Sequence, residues 1–242
     1  MIMQVKTKGI ILNSLKHTDK VNIVTVYTSE FGRVSYMIYA ANKKKSAFRA
    51  SFLQPLTMVE LDVFHSPAKE VHRIKEARNI YLFTRIPYDP VKNALALFIS
   101  EMLFRTLRQS EPDEQLYDFL ENSIQQLDCI EAGIANFHLV FFIKLTRFLG
   151  FEVNQDETNP TFFDLLNGVF TAQKPAHFHY LTAELTIDFM KLIQVDYVTM
   201  DQLAFSREQR NKLLDCIIEY YRLHVPDFKG LKSVSIFQSL FD

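Results

Sequence analysis

Residues 21–28, with the sequence VNIVTVYT, decide the fold class of the N-terminal part of this chain. Successive side chains of a β-strand point to opposite faces, so the odd-numbered residues from Val21 to Tyr27 share one face and Val24 and Val26 share the other. Both faces are largely apolar, which is typical of a strand in a closed or covered sheet. The stretch therefore predicts a strand of a barrel or of a covered sheet.

Four further segments of residues 1–80 have the composition of strands. Their ranges are 4–12, 33–39, 56–64 and a strand that begins at 71–74. Five short strands separated by turn signals are typical of a barrel or a small sandwich. When such a barrel carries excess positive charge, the pattern is that of an OB-fold, which binds strands of nucleic acid across one face.

The charge of the chain is strongly divided along its length. Residues 1–80 carry 13 Lys and Arg against 6 Asp and Glu, whereas the other 162 residues carry 14 against 22. Clustered Lys and Arg gain affinity for phosphates by releasing condensed counterions, so the basic N-terminal part predicts a surface for a polyanion. The most basic stretch, AANKKKSAFR at 40–49, lies between predicted strands. A lysine triplet on its own is also compatible with a solvated loop, and the other basic residues of the module favour nucleic acid. The predicted DNA-binding residues are Lys43, Lys44, Lys45, Arg33, Arg49 and Lys16.

Two tyrosines of the third predicted strand are candidates for contacts with bases. Tyr36 falls on the face of that strand shared with Val34 and Ile38, and Tyr39 falls on the other. Aromatic side chains can stack on unpaired bases. The alternative for both tyrosines is a place in the core.

From Asp89 onward the apolar residues recur at three- and four-residue spacing, which predicts helices. The predicted helices begin with Pro90 in a first turn and continue with 113–127, 133–148, 182–193, 206–225 and 232–240. The helix at 133–148 is apolar nearly all round, as in a buried hub. The chain is therefore predicted to be α+β, with an OB-like barrel domain at 1–80 and a helical domain at 81–242.

The segment 154–175 is predicted to contain a β-hairpin, because Asn167-Gly168 flanked by apolar residues is a strong hairpin signal. The two cysteines, Cys129 and Cys216, make neither a metal pattern nor a disulfide framework, and both are predicted to be small buried hydrophobes. His177 and His179 lack accompanying ligands in the sequence. No metal site is therefore predicted.

The sequence contains none of the common catalytic signatures. It has no phosphate-binding loop of the Walker type, no dinucleotide fingerprint and no serine nucleophile elbow, and its carboxylates are spread over predicted helix surfaces. We therefore predict a protein that is not an enzyme and needs no cofactor, although a site assembled from scattered residues stays open. No window has the length of apolar sequence that a membrane span needs, so the predicted location is cytoplasmic and the membrane is not a predicted partner.

Several segments, in order, resemble the RecO family of bacterial recombination mediators. They are KGIILNS at 8–14, DKVNIVTVYT at 19–28, AANKKKS at 40–46, LQPL at 53–56, the helix from 137 to Gly150 and Phe151, and GLKS at 230–233. The resemblance implies a barrel that holds single- or double-stranded DNA through its backbone. It also implies a helical body that binds RecR and the acidic C-terminal tail of single-stranded DNA-binding protein. Such a mediator loads recombinase onto gapped DNA, where it is associated with the nucleoid, and anneals complementary strands.

The chain departs from the family pattern at two places. Ala40 and Asn42 stand where the family usually has Gly and Arg. Many members carry a four-cysteine zinc site after the hub helix, whereas residues 154–175 of this chain resemble the degenerate zinc-ribbon-like hairpin that is left when the cysteines are lost. No zinc-dependent property is carried over.

The sequence leaves alternatives open for both function and partner site. An OB-type barrel on a helical scaffold can also bind RNA, or its basic face can meet an acidic protein. For the partner site, an acidic tail that ends in an apolar residue needs an apolar pocket edged by positive charge. Lys144 and Arg147 share one face of the hub helix and are the predicted partner-binding residues. Alternatively, they extend from a buried helix to solvent.

Overall fold

The computed structural model describes residues 3–19, 21–39, 50–66, 68–108, 111–157 and 159–239. The chain forms two compact units, Met1–Asp128 and Cys129–Asp242. The first contains five strands and two helices: β1 (Met3–Thr18), β2 (Val21–Thr28), β3 (Gly32–Tyr39), β4 (Met58–His65), β5 (Val71–Asn79), α1 (Pro90–Thr106) and α2 (Glu114–Cys129). A barrel followed by helices confirms the predicted fold class. The strands give way to helices near the predicted boundary at residue 80, and α1 and α2 belong to the same compact unit as the barrel.

The five strands close into a barrel in the order β1-β2-β3-β5-β4, with β1 and β4 also paired. All neighbouring strands are antiparallel except β3 and β5. The long strand β1 pairs with both β2 and β4, and two register shifts in its ladder with β2 let it bend around the barrel. The polar stretch at 16–20 was predicted to lie outside the strands, but β1 continues to Thr18, because its backbone there pairs with the start of β2.

The barrel interior is filled by the inward-facing residues of the strands. Buried residues of β1 to β4 meet there, among them Ile11, Val24, Tyr36 and Leu61, and the partly buried Ile74 and Ala77 of β5 pack against them. Gly9 marks a close approach of β1 and β2, because a Cβ on it would lie 2.5 Å from the Cγ1 of Val26. Any larger residue at this position would force the two strands apart.

Both helices of the first unit are tied to it by hydrogen bonds. The carboxylate of Asp89 caps α1 by accepting from the N–H of Val91 and Lys92, and Pro90 occupies the first turn. Ser100 of α1 donates to the carbonyl of Leu12 in the barrel, at 2.5 Å. At the other end of the unit, the carboxylate of Asp128 accepts hydrogen bonds from the segment that connects β5 to α1.

The second unit is built on α3 (Phe137–Phe148), whose residues are nearly all buried. The remaining elements are β6 (Phe162–Asp164), β7 (Val169–Thr171), β8 (Tyr180–Leu181), α4 (Ala183–Ile193), α5 (Arg207–His224) and α6 (Val234–Ser239). The hydroxyl of Tyr221 on α5 donates to the carbonyl of Phe142, at 2.7 Å, and so joins α5 to the hub helix.

The prediction of two buried cysteines is wrong for Cys129, and Cys216 is partly buried. Burial, with nearby Asp215 and Glu219, raises the pKa of Cys216 to about 11, so its thiol stays protonated. Cys129 is instead exposed at the last position of α2. The apolar residues around it in the sequence pack on other sides of the helix.

Candidate nucleic-acid interface

Many basic side chains of the barrel lie on one outer face, formed by β1, β4 and β5, where carboxylates balance them. The strand register places Lys6 opposite Asp62, Lys8 opposite Glu60, and Glu60 opposite Arg78. Arg78 and Glu60 form a two-point contact, with Nε to Oε2 at 2.8 Å and Nη2 to Oε1 at 3.0 Å. The excess positive charge of the module therefore lies mainly elsewhere. We call Lys6, Lys8, Lys75 and Arg78, with Glu60, Asp62 and Glu76 of the strands and Glu121 of α2, the balanced face.

Further ion pairs complete the balanced face. The Nζ of Lys75 is 3.5 Å from the Oδ2 of Asp62, and the Nζ of Lys8 is 3.8 Å from the Oε2 of Glu121 on α2. The pKa of Glu60 is lowered, first by its hydrogen bond with Arg78 and in smaller part by Lys6 and Lys8. Surface pairs of this kind add little stability, but they cancel the field that a phosphate backbone would experience.

Arg33, a predicted DNA-binding residue, is engaged inside the first unit. Its Nη1 donates to the carbonyls of Phe104 and Leu107 at 2.8 and 3.1 Å, and its guanidinium lies 4.6 Å from the ring centroid of Phe104. Burial, together with the nearby charge of Arg108, lowers the pKa of Arg33. Since these carbonyls end α1 and have no partner within the helix, the side chain attaches α1 to the barrel. Arg33 is therefore not part of the proposed DNA-binding surface.

The other predicted DNA-binding residues lie near the β1–β2 turn or outside the described residues. Lys16 extends into solvent and forms an exposed ion pair with Asp19, at 2.8 Å. The prediction for Lys43–Lys45 and Arg49 falls on residues that the structure does not describe. Strand β3 ends at Tyr39, and the chain is described again from a short 3-10 helix, Ala50–Leu53.

The two candidate stacking tyrosines have different places. Tyr36 is fully buried in the barrel, which agrees with the core alternative, whereas Tyr39 is 50% exposed at the end of β3. Arg73 of β5 lies beside Tyr39, with its Cζ 5.7 Å from the ring centroid and its Nη2 3.4 Å from the hydroxyl. In the sequence, Arg73 is only one of many cations. Its position beside Tyr39 depends on the parallel pairing of β3 with β5, which leaves no local signal in the sequence.

The predicted partner-binding residues lie on the surface of the second unit. Arg147 is exposed, and Lys144 is partly buried. Lys144 has an acidic neighbour: the pKa of Asp196 is lowered, mainly by hydrogen bonds from Thr199 and in small part by the charge of Lys144. Arg147 is therefore the more available of the two cations.

A groove of about 540 Å³ opens on the second unit. Its apolar lining includes Val195, Leu203 and Phe205, and Lys191 stands at its edge. The Nζ of Lys191 is 3.1 Å from the Oδ1 of Asp188. The groove thus combines apolar side chains with polar ones, and the charge of Lys191 is offset by Asp188, which also lines it.

The predicted hairpin is present as β6 and β7, which are joined through Asn167 and Gly168. The carboxylate of Asp164 organises it by accepting from the N–H of Leu166 and Asn167, from the side-chain amide of Asn167, and from Nε2 of His177 at 3.1 Å. Burial acts to raise the pKa of Asp164, but the bonds from Asn167 and His177 outweigh it and lower the pKa. Among the described residues, no group of three or more His, Cys, Asp and Glu is placed to hold a metal ion.

We expect Asp164 to stabilise this hairpin without metal. Replacing Asp164 with Ala leaves four donors without their acceptor and should lower the free energy of unfolding by about 2–3 kcal/mol. The same change at exposed Asp156 in the same segment should cost less than about 0.5 kcal/mol. Urea denaturation measures both, and thermal melts of the unaltered protein should be the same with and without EDTA. Stoichiometric zinc in the purified protein, with a melt that chelation lowers, would contradict this account.

In the part of the chain that the structure describes, no helix has both the length and the apolar character needed to cross a membrane. A closed five-stranded OB-like barrel followed by helices and a small sheet defines a two-module protein whose barrel is of a type that binds oligonucleotides or oligosaccharides.

Comparison with known proteins gives the family. Residues 1–83 match the family model described as "Recombination protein O N terminal", and residues 87–233 match "Recombination protein O C terminal". The chain is 40% identical over 237 residues to DNA repair protein RecO of Phocaeicola vulgatus, covering 98% of each. It is 40% identical over 239 residues to that of Bacteroides fragilis strain ATCC 25285, covering 98% of this chain and 99% of the relative. It is 33% identical over 241 residues to that of Flavobacterium psychrophilum, covering 99% and 100%. The chain belongs to the RecO family of DNA repair proteins.

Proposed function

We propose that the protein is a non-enzymatic recombination mediator that binds single- and double-stranded DNA through its barrel. With RecR and single-stranded DNA-binding protein as partners of the helical body, it helps to load recombinase onto gapped DNA. Neutralising the phosphates of two complementary strands also lets them approach and anneal. The observation that carries the proposal is the excess of positive charge on residues 1–80 in a chain whose total charge is −1.

The distribution of that charge supports contact with the DNA backbone. Glu60 and Asp62 offset the cations of the balanced face. Segment 40–49 holds four Lys and Arg and no carboxylate. In the sequence it directly follows Tyr39, the last residue of β3, and Arg73 of β5 lies beside Tyr39. Binding through phosphates gives affinity with little sequence specificity, as a protein that acts on any gapped DNA requires.

The proposal is tested by measuring affinity against salt concentration, using fluorescence anisotropy of labelled single strands and duplexes. The logarithm of the affinity should fall linearly with the logarithm of salt, by about 0.9 per phosphate contact on duplex and about 0.7 on single strands. Unrelated sequences should give the same line. Preference for structured RNA in competition would favour the RNA-binding alternative. Failure to bind any polynucleotide at low salt would favour an acidic protein partner.

For the partner, we propose that the helical body binds an acidic peptide with an apolar end, such as the tail of single-stranded DNA-binding protein. Arg147 and Lys144 supply positive charge on α3, and Lys191 supplies it at the edge of the apolar groove. An apolar residue buried in the groove and carboxylates on its basic edge would match this chemistry.

We expect charge reversal at the partner site to abolish binding of the tail peptide while leaving DNA affinity unchanged. The variant Lys144→Glu with Arg147→Glu tests the α3 face, and Lys191→Glu tests the groove. Each close interfacial charge contributes roughly 1.5 kcal/mol or more, about tenfold in affinity. Calorimetric titration with the peptide and anisotropy with DNA measure the two functions separately. Loss only in Lys191→Glu would move the site from α3 to the groove, and retention in both folded variants would exclude both positions.

A further inference from the structure

A row of outward-facing side chains, one from each strand, winds round the closed barrel and passes the end of β3. The strand register pairs Leu15 with Ile23, Ile23 with Met37, Met37 with Arg73, and Arg73 with Phe64. Leu15 and Phe64 are 61% and 39% exposed, and Ile23 and Met37 are partly exposed. We call these five residues the outer row. It consists of four apolar side chains and one cation, on the opposite side of the sheet from the barrel core.

Tyr39 adjoins the outer row, because it lies two residues beyond Met37 on the same face of β3. Half of its surface is exposed, and its ring contacts the guanidinium of Arg73 at 5.7 Å. Among the described residues, Arg73 makes no ion pair with a carboxylate. The position thus joins an accessible aromatic face to an available positive charge.

This surface differs in chemistry from the balanced face. There, carboxylates lie among the cations and offset their charge. Here, Ile23 and Met37 are uncharged and partly exposed, and Tyr39 offers a ring to solvent. A phosphate backbone alone would need only cations, whereas exposed aromatic and apolar groups beside a cation also fit the faces of bases.

We propose that Tyr39, with Ile23 and Met37 of the outer row, binds the unstacked bases of a single strand, with Tyr39 stacked on one base and Arg73 at the neighbouring phosphate. The proposal rests on the DNA-binding function proposed above and adds a selection between its substrates. In a duplex the base faces are already stacked, so a duplex gains only the phosphate contacts. Tyr39 therefore gives the barrel a preference for single strands, and the preference is indifferent to sequence because every base has a π-face.

The test compares substitutions of the ring on the full chain, with an oligothymidylate and a duplex of mixed sequence as probes. Tyr39→Ala should weaken single-strand binding by about fivefold to about a hundredfold, the loss expected for one base–aromatic stack. Duplex affinity should change by less than about twofold. Tyr39→Phe keeps the ring and should bind single strands like the unaltered protein. Tyr88→Ala is the matched control, because Tyr88 is 82% exposed outside the barrel.

A direct signal for stacking comes from Tyr39→Trp. Because the chain contains no Trp, this variant has a single indole, whose fluorescence should be quenched by the oligothymidylate and not by the duplex. Equal losses on single strands and duplex in Tyr39→Ala, or unchanged single-strand affinity in that variant, would overturn the stacking proposal while DNA binding stood. If the unaltered protein bound neither probe at low salt, the proposed function itself would fail.

Discussion

Replacing Asp128 with Asn should lower the free energy of unfolding by about 3–5 kcal/mol, a large fraction of the stability of an ordinary domain. One buried carboxylate here accepts five hydrogen bonds. Oδ1 accepts from the N–H of Arg85 and Ile86, both at 2.9 Å, and Oδ2 accepts from the N–H and hydroxyl of Thr84 and from the hydroxyl of Tyr81. The side chain of an Asn has an NH2 group in place of one carboxylate oxygen. That group cannot accept the hydrogen bonds which the replaced oxygen accepted.

The carboxylate of Asp128 also fixes the path from the barrel to the helices. The groups that donate to this carboxylate lie between β5 and α1. The backbone carbonyl of Asp128 also accepts a hydrogen bond, from the Nζ of buried Lys92 at 2.7 Å. Loss of this acceptor would leave buried backbone donors unpaired, which costs more than the loss of an exposed hydrogen bond. Equilibrium urea denaturation followed by circular dichroism measures the effect.

The acid limb of the stability curve gives a second measurement. Burial acts to raise the pKa of Asp128, but the N–H groups of Thr84, Ile86 and Arg85 outweigh it, so the folded-state pKa lies below the ordinary value of 3.8. Its contribution is therefore complete above that value and is lost as the pH falls from there through the folded pKa. In Asp128→Asn, stability should fall less steeply across this window. Asp118→Asn, at an exposed position of the same helix, should change stability by less than about 0.5 kcal/mol. Equal stability of the two variants would contradict the role of Asp128.

The sequence predicted the strands and helices because their signal is local. Alternation along 21–28 and the three- and four-residue spacing after Asp89 follow from the geometry of one element at a time. The same alternation contained the answer for the tyrosines: Tyr36 shares its face with Val34 and Ile38, which are buried, and Tyr39 does not. The alternation along β3 therefore distinguishes Tyr36, in the core, from Tyr39, on the surface.

The sequence could not predict the residues whose roles depend on distant partners. Asp128 binds backbone N–H groups, which have no signature in residue type. Arg33 satisfies two carbonyls at the end of α1, and a count of charges treats it like any exposed cation. The balanced face was hidden for the same reason, since only the register of β1, β4 and β5 brings Glu60 and Asp62 beside the lysines. The net charge of the N-terminal module predicts that it binds a polyanion. The register of its strands decides which part of its surface keeps an excess of positive charge.

We expect the second large effect, on DNA affinity, from Lys43, Lys44 and Lys45, which lie in a segment without carboxylates. Changing all three to Ala should make the logarithmic salt dependence of DNA binding shallower by up to about two units, because each phosphate contact contributes about 0.7–0.9. If the two proteins bind equally at about 1 M salt, this corresponds to a loss of up to about a hundredfold in affinity at about 0.1 M salt. The loss should be similar for all DNA sequences, since phosphates carry no sequence information.

The matched control removes the same number of charges from the balanced face: Lys6, Lys8 and Lys75, each changed to Ala. Lys8 and Lys75 lie 3.8 and 3.5 Å from carboxylates, and the charge of Lys6 acts on Glu60. If net charge alone governed binding, the two triple variants would lose affinity equally. If phosphates contact the triplet, only the loop variant should lose salt dependence, because the lysines of the balanced face already have anionic partners and release few counterions. An unchanged slope in the loop variant would show that the triplet is a solvated loop and would leave Lys16 and Arg73 as the cations to test next.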